Sequence, residues 1–552
     1  MAPIIRTCNI FFLWLGAAAA SAAAARPAEQ SALSAYVEAR VAEAEGDGRA
    51  AVAAYAAALK AEPGSDVIAL AAFRQAIDAG DRALALRAID ALERIGQLPQ
   101  DGALLLTGVH LQKGDTKAAA RAAAQLQDTK ELSLLLPVIQ SWIGIAAGDA
   151  TAPDLIGAAG SADLGAGIIT EQRALTGLLA DRKIEALSLI RSAPPSEVGI
   201  GTLRLTAAAT LQKKGDKPAA LSLVQGRGES YVLARDRLTS GKPLEGAIVT
   251  AAQGLAYFYA RLSTDLVREK SPYFALTMGR YARFLDPQSP FVIMAEAQAL
   301  AANQWEEAAL ATLGAIPAGT AYAPVALESK LALLQRLDRA EDALALAVAK
   351  ATKSGRAEDL AHQGDILLRL NRPAEAAEAY ARAMAAPDKT GAPDQWQLLM
   401  QRGTAFARGG DWPAAEAELR RALALAPKQP SLLNMLGYSL LERREKIDEA
   451  SQLIARAHAL RPNDAAIMDS LGWAYFLSGQ VGLAMPMLEQ AMRSEPSDPT
   501  INEHLGDAYW HAGRKIEARY AWRAALLTAE EDAIARLSEK ADFGLTAKNA
   551  AR

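Results

Sequence analysis

The chain has 552 residues, 51% hydrophobic but only 6% aromatic, with 59 Lys and Arg against 63 Asp and Glu. That balance leaves no basic footprint for nucleic acid, and an apolar fraction rich in alanine suits close helix packing better than a β-rich core. An all-α chain is expected, and one cysteine, Cys8, excludes a disulfide framework.

Residues 1–25 read as a secretory signal peptide. Arg6 gives a positive start, Ile10 to Leu15 form an apolar stretch, and Ala17 to Ala25 offer several A-x-A cleavage sites before Arg26-Pro27. An uncleaved anchor and an alanine-rich unstructured start are the alternatives. Cys8 precedes the apolar stretch, whereas a lipid-modified cysteine would follow it, so no lipoprotein signal is evident. No later stretch reaches about 18 uninterrupted apolar residues, so no transmembrane span is expected after signal removal. A periplasmic location follows.

Residues 26–230 read as a degenerate helical array. Ala51, Tyr55 and Ala58 share one helix face, with Pro63 beyond it. Gly46-Asp47, Gly80-Asp81 and Gly114-Asp115 recur 34 residues apart, and Gly215-Asp216 repeats the pair. Glycine there is expected to end one helix in the left-handed conformation, and aspartate to cap the next. Thr151 to Gly167, Ala193-Pro194-Pro195 and Gly226 to Pro243 carry breakers and read as linkers.

Residues 231–395 continue the array and gather Tyr257, Phe258, Tyr259, Tyr273, Phe274, Tyr281, Phe284 and Phe291. Aromatics at helical spacing predict a thicker core between two sub-arrays in preference to a ligand site. Ala308, after Trp305-Glu306-Glu307, and Ala343 mark second helices whose first helices lack a marker glycine. Gly364 opens a clearer unit with Leu360, Leu367, Ala376, Tyr380 and Ala383, and Lys389 to Pro393 insert a surface loop.

Residues 396–529 carry the most regular pattern. Gly403, Gly437, Gly472 and Gly506 stand at steps of 34, 35 and 34 residues. One frame reads Met468, Leu471, Gly472, Tyr475, Ala484, Leu488, Ala491 and Pro496; the next reads Asn502, Leu505, Gly506, Tyr509, Ala518, Trp522 and Ala525. The frame resembles the tetratricopeptide repeat, which implies a right-handed α-solenoid of helix-turn-helix units. The glycines, with Ala415, Ala450, Ala484 and Ala518, permit close helix crossing, and Pro427, Pro462 and Pro496 stop the second helices. Residues 530–552 read as a capping helix bearing Ile534 and Leu537, then a mobile tail after Phe543.

By the same resemblance, Asn434, Tyr438, Asp469, Trp473, Phe476, Glu503, Asp507 and Trp510, with His511, face a concave groove. They form an aromatic and acidic strip, a candidate protein-binding surface. The competing assignment puts Trp473 and Trp510 over the seams between repeats, and the two differ in exposure. Tyr, Trp and Asp at these positions do not support a carboxylate clamp, which uses lysines and asparagines.

Catalytic signatures G-x-S-x-G, G-x-x-x-x-G-K-[ST] and G-x-G-x-x-G are absent from the sequence. His110, His362, His458, His504 and His511 are dispersed; His504 and His511 lack the partners a metal site needs. No metal, cofactor or catalytic role is expected. The less regular stretch 151–290 has neither histidine nor cysteine, which argues against a hidden enzyme.

Leu433-Asn434-Met435-Leu436-Gly437-Tyr438, Ile467-Met468-Asp469-Ser470-Leu471-Gly472-Trp473 and His504-Leu505-Gly506-Asp507-Ala508-Tyr509-Trp510 resemble a group of exported bacterial tetratricopeptide proteins. That group is similar to the outer-membrane lipoprotein adaptor of a periplasmic carboxyl-terminal processing protease. The resemblance is specific over residues 395–530 and architectural before them. It implies a non-enzymatic scaffold that links an envelope protease to cell-wall hydrolases. A different class, an envelope-assembly or polysaccharide-handling protein binding glycan or an export machine, is the alternative, since aromatic side chains also stack on sugars. The missing lipid-modified cysteine departs from the adaptor's pattern.

Overall fold

Helix termini carry the most explicit local instructions in this chain. At Gly80 the backbone turns left-handed (φ 73°), and the Asp81 carboxylate accepts the Leu84 N–H at 2.7 Å. Gly46-Asp47, Gly114-Asp115, Gly215-Asp216 and Gly410-Asp411 repeat the device, each aspartate accepting the amide three residues on. Glycine takes positive φ without a Cβ clash, and each cap contributes about 1 kcal/mol.

The computed structural model describes residues 27–157, 165–193, 199–226, 228–387 and 393–550. The signal segment, Pro194-Pro195 and most of the Lys389 to Pro393 insertion lie outside the described residues. Among the described residues there are thirty α-helices and no strand, an all-α solenoid built from consecutive helix pairs. The chain divides into two compact units, one ending at Leu337 and one beginning at Asp338, a division that falls inside the 231–395 segment.

In the first unit, helix pairs such as Pro27–Ala44 with Gly48–Ala61 and Asp66–Ala79 with Arg82–Arg94 follow one another along the chain. Ala51, Tyr55 and Ala58 are buried on one face, as their spacing requires. The aromatic-rich helices Ala251–Arg268 and Pro272–Leu285 return across about 200 residues of sequence to these early pairs. Tyr259 Oη donates to the Leu104 carbonyl at 2.9 Å, Arg82 Nε to the Phe284 carbonyl at 2.9 Å, and Gln112 Nε2 to the Leu285 carbonyl at 2.8 Å. Trp142 lies against Gly254, where an added Cβ would sit 2.3 Å from the indole. The aromatic segment is therefore core, but the core of the first unit itself and not a joint between sub-arrays. Periodicity identifies a buried stripe without naming what buries it, which explains the difference. Tyr273 and Phe274 depart from the rest, at 55% and 61% exposed.

The second unit begins with helix Ala340–Ser354 and continues with five helix pairs, Ala357–Arg369 with Pro373–Ala385, Gln395–Arg408 with Trp412–Leu425, Pro430–Glu442 with Ile447–Leu460, Ala465–Leu477 with Val481–Ser494, and Pro499–His511 with Lys515–Leu526; helix Glu531–Phe543 follows them. The marker glycines sit at the crossing of each pair. A Cβ on Gly472 would lie 2.7 Å from Leu488 Cγ, and one on Gly506 would lie 2.4 Å from Trp522 Nε1. Gly403 and Gly437 meet Leu419 and Ile454 in the same way. The glycine thus makes room for a large residue on the second helix, while Ala415, Ala450 and Ala484 approach through their carbonyls. Those alanines and Ala518 are fully buried. Pro427, Pro462 and Pro496 follow cap residues Ala426, Arg461 and Glu495, which close the second helices on Ala422, Ala457 and Ala491.

Residues 544–550 of the tail pack against the second unit. Gly544 turns at φ 94° with its backbone pressed on the Trp510 ring, where a Cβ would lie 2.2 Å from the indole. Asn549 is 1% exposed; its Oδ1 accepts the Thr546 N–H at 2.6 Å and its Nδ2 donates to the Gly544 carbonyl at 3.1 Å. A short polar tail gives no periodic signal, so this packing was not visible beforehand.

Candidate protein-binding groove

The first helices Pro430–Glu442, Ala465–Leu477 and Pro499–His511 position all eight candidate groove residues. Their exposure separates them. Asp469, Trp473, Glu503 and Asp507 are buried, while Asn434, Tyr438, Phe476 and Trp510 are half-buried. Trp473, at 1% exposed, stacks on His504 (centroids 4.1 Å, planes 11° apart) and on Phe476 (4.9 Å, 18°). It fills a seam between units, so its ring faces are already in contact with side chains and unsuited to stacking on a sugar. Trp510 is also engaged: it tilts on Trp522 at 5.4 Å, carries Lys515 Nζ 3.7 Å from its centroid, and meets the Gly544 backbone.

The acidic members belong to an internal charge network. His504 Nδ1 pairs with Asp469 at 2.9 Å. Lys540 from the capping helix, with no exposed surface, places Nζ 2.6 Å from Glu503 Oε1 and 2.8 Å from both Asp507 oxygens. Arg536 reaches Glu503 at 3.0 Å, and Trp522 Nε1 donates to Asp507 at 2.9 Å. Burial works most strongly against a charged His504, but the adjacent Asp469 carboxylate, together with Glu503 and Asp507, outweighs it and raises the imidazole pKa. For Tyr438, burial is the main cause pushing the phenol far above its ordinary range.

His504, Trp522 and Lys540 were not among the expected site residues, although Lys540 had a signal. It stands 34 residues after Gly506, at the place of the next marker glycine. The capping helix is in effect an unpaired first helix, and a long side chain replaces glycine there and reaches back to the preceding unit.

Recesses remain in both units. One of ≈ 270 Å³ in the second unit is lined by Trp473, Phe476, Leu477, His511, Leu545 and Ala550, among others. Another of ≈ 630 Å³ in the first unit is walled by Leu70, Phe73, Leu132, Tyr273 and Phe274, with Arg74 and Asp101 at its polar edge. On the outer side of helix Lys515–Leu526, Ile516, Tyr520 and the following Leu527 stand exposed on one face, Tyr520 at 68%. Exposed apolar groups gathered on one face suit a protein contact.

The irregular stretch 151–290 holds a buried polar group of its own. Glu171 pairs with Arg261 Nε at 2.9 Å and accepts from Tyr257 Oη at 3.2 Å, and both charged side chains are nearly fully enclosed. The group ties helix Ala166–Leu179 to helix Ala251–Arg268 and is closed to a substrate. Among the described residues there is no grouping of three or more His, Cys, Asp or Glu able to hold a metal, and no helix long and apolar enough to cross a membrane.

Comparison with known proteins agrees with the repeat geometry. The tetratricopeptide repeat family model matches residues 362–430 and 470–534. A curated relative, the TPR repeat-containing protein PA4667 of Pseudomonas aeruginosa, is 36% identical over 115 residues, which is 21% of this chain; the match spans only 19% of that relative's length. Among solved structures, PilF of Pseudomonas aeruginosa is 19% identical over 34% of this chain and 82% of its own, with a TM-score of 0.29. A tetratricopeptide repeat protein from Parabacteroides merdae is 14% identical over 51% of this chain and 96% of its own, TM-score 0.36. MamA of Desulfovibrio magneticus is 21% identical over 31% and 94%, TM-score 0.27. TM-scores this low bear on neither partner nor activity. The chain contains tetratricopeptide repeats, which serve as scaffolds for protein–protein interaction.

Proposed function

We propose that this protein is a non-enzymatic adaptor of the bacterial periplasm, whose second unit binds an envelope protease and presents cell-wall hydrolases to it. The observation that carries the reading is the regular stack of the second unit, whose glycine crossings and buried ion network support a surface with Ile516, Tyr520 and Leu527 exposed on one face. Such a stack offers an extended surface on which two proteins can sit at once. The apolar stretch from Ile10 to Leu15 and the alanine run after it support export. The resemblance of the segments around Gly437, Gly472 and Gly506 supports the adaptor role, as an analogy of family and not of a site.

In-cell crosslinking from tagged chain, followed by mass spectrometry, tests the reading. The expected result is a carboxyl-terminal processing protease and at least one cell-wall hydrolase crosslinked to residues after Asp338. Recovery of neither class, from cells in which the chain is exported and folded, overturns it.

A further inference from the structure

We propose that the recess beside Trp473 is a binding site for an extended peptide segment bearing a branched apolar side chain, and that residues 544–550 are a tethered plug which such a segment displaces. The inference deepens the adaptor reading and rests on it for the existence of a protein partner.

The recess has the chemistry of a peptide subsite. Trp473, Phe476 and Leu477 supply an apolar wall, and His511 and Asp507 a polar edge. Trp473 is buried, yet its Nε1 has no acceptor among the described residues. A buried donor left unmatched costs about 1–3 kcal/mol. An extended segment carries a carbonyl at every residue and turns alternate side chains to one face, so one bearing a branched apolar side chain suits an apolar wall with an unmatched donor beside it.

The plug is already seated in part. Leu545 and Ala550 line one side of the recess, and Leu545 packs with Trp510 against the core formed around Leu505 and Trp522. The tail's own hydrogen bonds run within residues 540–549: Gly544 N–H to the Lys540 carbonyl, Asn549 N–H to the Thr546 carbonyl, and the two Asn549 side-chain bonds. Its hold on the helices is therefore chiefly apolar contact. A tether gives such a segment an effective concentration on the order of millimolar, so weak contact suffices to keep the recess closed until a stronger segment arrives. Gly544 is the hinge, since its positive φ and its approach to Trp510 both exclude a side chain.

The test uses a fluorescent peptide of the sequence Gly544–Ala550 and three chains: the full chain, a chain ending at Phe543, and full-length Asn549→Ala. Anisotropy is expected to show saturable binding to the shortened chain, binding at least about tenfold weaker to the full chain, and an intermediate value for Asn549→Ala. Phe476→Asp in the shortened chain, or Leu545→Asp in the peptide, is expected to abolish binding. Equal affinity for full and shortened chains overturns the proposal, as does no binding to a shortened chain that keeps its helicity. If the shortened chain fails to fold, Asn549→Ala decides alone, and no gain over the full chain overturns it. The readout needs no partner protein, so its failure leaves the crosslinking result for the adaptor standing or falling separately.

Discussion

Lys540 Nζ lies 2.8 Å from both carboxylate oxygens of Asp507, inside a site from which the lysine side chain has no exposed surface. The pair fastens the capping helix to the last complete repeat. Removing one partner of a buried pair leaves an uncompensated charge, at a cost of about 3–5 kcal/mol. Lys540→Met is therefore expected to loosen the end of the second unit. Hydrogen exchange resolved by segment checks this, with protection lost across 499–543 while the first unit is unchanged. Unaltered protection there contradicts a structural role for the pair.

The marker glycines give a paired test of sterics. Gly506→Ala places a methyl 2.4 Å from Trp522 Nε1, and overpacking of this kind costs about 1–3 kcal/mol. Gly482→Ala, on a helix where an added Cβ meets nothing within 4 Å, is expected to be neutral or stabilising by up to about 1 kcal/mol. Local opening free energies from exchange are expected to move in opposite directions. Equal effects would show that the 34-residue ladder is not maintained by the crossing.

His504 makes the second unit sensitive to pH. Its pKa in the fold is raised by Asp469 against the effect of burial, while the unfolded value is about 6.5. The folded state thus binds the proton more tightly. Its stabilising effect is complete below the unfolded pKa and is lost as pH rises through the folded one. Exchange protection in 465–511 is expected to fall across that window in the natural chain. In His504→Asn the slope is expected to vanish; a slope that survives assigns the titration elsewhere.

Local rules were legible in the sequence wherever one residue type has one physical job. Gly80 with Asp81, the glycine ladder and Pro427, Pro462 and Pro496 after their second helices all appear where their chemistry requires. The strip of groove residues was legible as a set of positions, since all eight sit on first helices. Its exposure was not, because burial of Asp469, Glu503 and Asp507 depends on His504, Lys540 and Arg536, which stand about one repeat away in sequence. Helical periodicity says which residues share a face, and only the three-dimensional stack says whether another helix covers that face. The return of Tyr259 to Leu104 is the same limitation at a longer range.

Arg261 and Glu171 provide the last test, because they decide what the irregular stretch of the first unit is for. Their side chains are enclosed at 2.9 Å separation. Burial is the largest influence on Glu171 and raises its pKa even though Arg261 opposes the shift. Arg261→Met removes that opposition and leaves a buried carboxylate with no cation beside it and the Tyr257 hydroxyl as its remaining donor, so the variant is expected to be destabilised by about 3–5 kcal/mol near neutral pH. A proton relieves the charge, and the folded state then binds that proton more tightly than the unfolded one. The penalty is therefore expected to shrink as pH falls toward 5, the direction linkage requires for a carboxyl raised by folding. Adding Glu171→Leu to Arg261→Met removes both charges and is expected to recover most of the loss, since apolar replacements of a buried pair are often neutral or better. Thermal unfolding of the three chains at two pH values measures all of this. Recovery in the double variant identifies the pair as a clasp between helices Ala166–Leu179 and Ala251–Arg268; a double variant no better than the single one shows that the charges themselves are required.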